Sequence, residues 1–122
     1  MKHWMHDYWR AVAGQDATAL RTYFCQDACV RWHCSNEAFS VAEFLRANCE
    51  YPGDWQGQVE RIEDFGDTVI TAVRVWTAGA SFHVASFFRM RDGKIVELDE
   101  YWGDDGPAPQ WRQEKHIGRK IK

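Results

Sequence analysis

Four cysteines, Cys25, Cys29, Cys34 and Cys49, crowd into the first half of the chain. Thiolates bind metals or attack electrophiles, but no two of these are spaced as a zinc pair. His33, the one histidine near them, does not complete a ligand set. Reduced, mostly buried thiols filling small gaps are therefore expected, with no metal and no cofactor. Proton chemistry has better candidates. His83 follows Ser81 closely, and Glu97, Asp99 and Glu100 form an acidic run. A histidine beside a carboxylate in an apolar pocket is a competent acid–base unit near neutral pH. The absence of a glycine-rich phosphate loop, a nucleophile elbow and a metal motif argues against phosphate transfer, nicotinamide chemistry and serine hydrolysis. The aromatics are in excess. Seven Trp, seven Phe and four Tyr make up 15% of the residues, more than a core of this size needs, and this hints at a lined cavity.

The elements that must position these groups belong to one domain, since 122 residues leave no room for a second core. Hydrophobic residues at 45% and charged residues at 27% place the chain among ordinary globular proteins. A net charge of −3 argues against nucleic-acid binding. No apolar run approaches the ~20 residues of a membrane span, and the N-terminus carries no signal-peptide pattern. A cytoplasmic protein is expected.

Met5, Tyr8, Trp9 and Val12 recur at helical spacing, and Gly14 is placed to end the run. Asp16 can cap a second helix carrying Leu20, Tyr23 and Phe24 inward. Ala28 to Trp32 reads as a strand. Ser40 and Glu43 form a capping box, with Phe39 and Phe44 as its hydrophobic staple, for a third helix reaching about Glu50. Tyr51-Pro52-Gly53 stops it. Beyond Trp55 the period changes to that of strands. Val69 to Trp76 alternates, and Phe82 to Met90 meets Ile95 to Trp102 across the hairpin signal Asp92-Gly93. Residues 112–122 hold five basic side chains and read as a solvated tail, so 1–111 is the expected domain. Helices first and an antiparallel meander after them predict an α+β cone: a curved antiparallel sheet packed against about three N-terminal helices.

This order of elements, with Asp27-Ala28 opening the first strand and Gly93-Lys94-Ile95-Val96 leading to Glu100-Tyr101-Trp102, resembles the nuclear-transport-factor-2-like superfamily. Within it the chain is most similar to SnoaL-like and ketosteroid-isomerase-like small proteins, from about Met5 to Trp111. The resemblance implies a cone and commonly a homodimer joined through the outer sheet face. It leaves the reaction open, because the superfamily includes isomerases, cyclases, dehydratases, epoxide hydrolases and non-catalytic binders. Aligned to ketosteroid isomerases, Tyr8 takes the oxyanion-hole tyrosine position and Trp102 a pocket tryptophan. Trp32 takes the place of the general-base aspartate, and Ala85 that of the protonated aspartate. Tryptophan cannot act as a base, so ketosteroid isomerase itself is rejected.

The same alignment turns Ala85 and Trp102 inward. His83 and Phe87 then share the inner face with Ala85, and Leu98 and Glu100 share it with Trp102. On this reading His83 is the general acid or base, Glu100 its partner and Tyr8 a hydrogen-bond donor to a substrate oxygen, while Trp32, Phe87, Trp102 and Trp55 wall the pocket. The expected ligand is a compact, apolar organic molecule, and the reaction an isomerisation, dehydration, cyclisation or hydrolysis. The alternative is a non-catalytic ligand-binding or dimerisation module, with His83 and Tyr8 as satisfied core residues. A one-residue error in strand phase would put Glu100 on the surface.

Overall fold

The computed structural model describes residues 2–122. Helix α1, Trp4–Ala13, turns Met5, Tyr8, Trp9 and Val12 into the core, and Gly14 closes it through its N–H to the Arg10 carbonyl. Helix α2, Ala17–Arg21, is capped by the Asp16 carboxylate on the Ala19 N–H and is shorter than expected. Phe24, assigned to it from the sequence, instead opens strand β1, Phe24–Trp32. A short strand β2, Glu37–Ser40, unforeseen in the sequence, leads into α3, Val41–Cys49. Both bonds of the capping box form. Ser40 Oγ accepts from the Glu43 N–H, and Glu43 accepts from the Ser40 N–H.

Four strands complete the domain: β3, Gln56–Asp64; β4, Thr68–Thr77; β5, Ala80–Arg91; and β6, Lys94–Asp104. With β1 and β2 they form one curved six-stranded sheet in the order β2-β1-β6-β5-β4-β3. The class is α+β, and the sheet is mixed rather than purely antiparallel, because β1 runs parallel to β6. Helices α1 and α3 cover one face, against β3 and β1 respectively. Val69, Thr71, Val73 and Val75 of β4 and Val84, Ser86 and Phe88 of β5 are buried beneath them. A short helix α4, Gln110–Glu114, follows, and Lys122 reaches Glu60. No helix among the described residues is long and apolar enough to cross a membrane.

The β5–β6 hairpin decides which side chains enter the cone. Asp92 and Gly93 both take positive φ, 53° and 76°, as a two-residue turn of this hand requires. Arg91 pairs with Lys94 and Met90 with Ile95, but Arg89 pairs with Glu97, so Val96 is an extra residue on β6. This bulge shifts every later pairing by one and places Ser86 opposite Glu100 and Val84 opposite Trp102. Beyond the bulge, even-numbered residues of both strands therefore face inward. The expected inward phase of His83, Ala85 and Phe87 is corrected here: all three face outward, because a hairpin without the bulge would have set Ala85 opposite Glu100.

Candidate functional site

Three side chains converge on Glu100, which is 2% exposed. Ser86, its cross-strand neighbour, donates its hydroxyl to Oε2 at 2.6 Å. Trp32, paired with Glu100 across the parallel β1–β6 ladder, donates its indole N–H to Oε1 at 3.0 Å. Trp102, two residues along β6, acts on the same carboxyl, yet its Nε1 is buried outside hydrogen-bonding geometry. Burial raises the Glu100 pKa from 4.5 to about 7, and the Ser86, Trp32 and Trp102 donors hold it from rising further. At neutral pH this carboxyl is near half-protonated, able both to give and to take a proton.

Tyr8 lies in the same region but deeper than the sequence suggested. It is fully buried in a nest of rings, edge-on to Phe88, Tyr23 and Trp9 at centroid distances of 5.3–5.5 Å. Its hydroxyl has no hydrogen-bond partner among the described residues. Burial, with the nearby Glu100 charge, pushes its pKa well above the ordinary phenol value.

A cavity of about 340 Å³ opens beside this centre, between α1, α3 and the inner sheet face. Trp32 and Trp102 form the wall nearest Glu100, and Trp55 and Phe82 continue it. Glu100 and Tyr8 do not border the cavity themselves. The indoles of Trp32 and Trp102 stand against the carboxyl on one side and the open space on the other. Cys34 is exposed at the cavity margin, and Cys25, Cys29 and Cys49 are half-buried, so the thiols are less enclosed than expected.

The structure separates the expected His83–Glu100 pair. His83 lies on the outer face, its Nδ1 against Asp105 and its Nε2 3.1 Å from Glu60. Ser81, with His83 and Arg74, holds the Asp105 carboxyl below the usual aspartate range. Phe87 is likewise no pocket wall; it is 40% exposed and packs edge-on against Tyr101. Ser86 was missed. The signal available for it was the alternation of Val84, Ser86 and Phe88, legible only once the bulge is counted.

The SnoaL-like domain family matches residues 5–98. The chain belongs to that family. No curated protein matches the sequence. Among solved structures, this SnoaL-like chain is similar to a Kribbella flavida DSM 17836 protein provisionally described as a ketosteroid isomerase, at 22% identity and TM-score 0.80, over 97% of this chain and 87% of that one. An NTF-2 like protein of unknown function from Burkholderia xenovorans LB400 matches at 25% identity and TM-score 0.79, over 97% and 92%. An M. tuberculosis LEH-like epoxide hydrolase matches at 14% identity and TM-score 0.66, over 81% and 79%. These likenesses establish the nuclear-transport-factor-2-like fold of the SnoaL-like chain. The variety of their descriptions leaves its reaction to be argued from its own site.

Proposed function

We propose that the protein binds a compact, largely apolar organic molecule in the cavity and moves a proton on it through Glu100. One observation carries this reading: a buried carboxyl with a pKa of about 7 stands directly behind two cavity-lining tryptophans. A group poised near the working pH is what general acid–base catalysis needs, and such perturbed groups concentrate at functional sites. The M. tuberculosis neighbour, described as an epoxide hydrolase, is consistent with acid–base work in this fold. Trp32 acts as the gate. Release of its bond to Oε1 and rotation of the indole bring the carboxyl into contact with the bound molecule. Ser86 is a positioning residue that keeps Oε2 oriented and limits the rise of the pKa. The Trp102 indole and the Tyr8 hydroxyl are the two buried polar groups without partners among the described residues. Trp102 borders the cavity and is the donor available to a substrate oxygen, and Tyr8, which lies behind the wall, becomes a second donor when the wall opens.

A second reading has its own support. Because Glu100 does not border the cavity in this conformation, the protein can serve as a binder with no chemistry. In either case the outer sheet face, where Phe87 and Tyr101 lie together, is proposed to pair with a second copy of the chain.

Deuterium exchange at the α-carbons of cyclohexanone in D₂O, followed by NMR, separates the two readings. Catalysed exchange that persists in His83→Ala and disappears in Glu100→Gln is the expected result. Quenching of tryptophan fluorescence by the ketone without exchange would establish the binder instead. No quenching and no exchange would overturn both readings for neutral apolar ligands.

A further inference from the structure

The polar groups around the cavity share one bias. Glu37 and Asp104 are the only charged side chains among the described lining residues, and both are acidic. The donors there are largely engaged elsewhere. The Gln15 amide donates to the backbone carbonyls of Asn48 and Tyr51, and the Asn48 amide donates to the Val12 carbonyl. Ser35 donates its hydroxyl to Glu37, and the indole N–H groups of Trp32 and Trp55 go to Glu100 and the Pro52 carbonyl. Apart from the Trp102 indole N–H, which lies beside Glu100, what remains toward the cavity is mainly acceptor oxygen, carboxylate and ring.

The rings form a continuous arc. Trp32 meets Trp102 edge-on at 6.1 Å, Trp102 meets Phe82 at 6.3 Å, Phe82 meets Trp55 at 5.9 Å, and Trp55 meets Tyr51 at 5.2 Å. All five border the cavity. An aromatic face carries negative potential, and several turned around one space attract a cation whose hydration shell is weak. Val12, Ala13 and Val75 supply apolar wall between them, which suits alkyl groups and penalises a bare, strongly hydrated ammonium.

We infer that the cavity selects compact organic cations, alkylated amines bearing three or four carbon substituents, over neutral molecules of the same shape. This rests on the reading of the cavity as the binding site and specifies its ligand class. The rings hold the alkylated nitrogen, and Glu37 and Asp104 at the margin attract it from solution.

The test uses a pair of probes that differ in charge alone: choline and 3,3-dimethylbutan-1-ol, in which carbon replaces the nitrogen. Calorimetric titration is expected to show choline binding about ten-fold more tightly, the order of effect of a partly desolvated aromatic cage. In the double variant Glu37→Gln, Asp104→Asn, two exposed positions whose change leaves the core intact, choline affinity is expected to fall several-fold while that of the alcohol stays constant. Equal affinity for the two probes, or preference for the alcohol, overturns cation selection. Binding of cyclohexanone without choline overturns it too, yet leaves the acid–base reading standing. Failure of all three probes overturns both.

Discussion

Glu100 sets the energetics of the site against the stability of the fold. Unfolded, the carboxyl titrates at its ordinary 4.5; folded, it titrates at about 7 because it is buried. Below pH 4.5 both states hold the proton and the residue adds no pH dependence. Between 4.5 and 7 the unfolded chain gives up the proton while the folded one keeps it, so stability falls as pH rises; above 7 the loss is complete. The expected difference between wild type and Glu100→Gln, read from urea midpoints, is that the variant gains roughly 3 kcal/mol on wild type between pH 4.5 and 8. An unchanging difference would mean that the carboxyl is hydrated. Tyr8 makes the complementary case. Its buried hydroxyl has no partner among the described residues, so Tyr8→Phe should leave stability unchanged or raise it by about 1–2 kcal/mol, while lowering turnover if the hydroxyl serves a substrate oxygen. A clear fall in melting temperature would reveal a partner in solution.

Among the elements, the local signals were readable and the long-range ones were not. The α3 capping box needs only Ser40 and Glu43 three residues apart, and it forms. The Asp92-Gly93 turn needs only two residues that tolerate positive φ. The bulge at Val96 depends on how β5 and β6 settle against the core, and no residue type announces it. That single extra residue turned His83 and Phe87 outward and brought Ser86 to Glu100. Strand β2 was invisible for a similar reason, since its four residues become a strand by pairing with β1. The turn after α3 offers an element-scale prediction. Gly53 has φ of +132°, and a Cβ there would lie 2.8 Å from the Trp55 indole nitrogen. Gly53→Ala should destabilise the protein by more than about 1 kcal/mol. It should also displace Trp55, seen as a shift in tryptophan emission and weaker binding of either probe. Unchanged emission and affinity would show that the turn does not hold the cavity wall.

For the whole molecule, one sheet presents two different surfaces. The inner face carries the cavity and Glu100, whereas the outer face carries Arg31 with Asp99 and Glu97, Arg74 with Asp105, and His83 with Glu60. His33 stacks on Tyr101 there at 4.5 Å, beside Phe87. If this face joins two copies, Phe87→Glu with Tyr101→Glu should give a monomer by sedimentation velocity, with stability per chain changed little beyond the loss of association. A wild type that sediments as a monomer at all concentrations would end the dimer proposal. The amino-acid sequence alone determined the class, helices α1 and α3, the hairpin turn and the aromatic wealth, because the local elements follow from residues within one or two turns of each other. Only the tertiary structure decided which strand residues look inward, since side-chain direction alternates every residue and one bulge inverts it. It also decided that Glu100 is buried among Ser86, Trp32 and Trp102. A pKa near 7 arises from the removal of water around a carboxyl, and that is a property of the packed molecule.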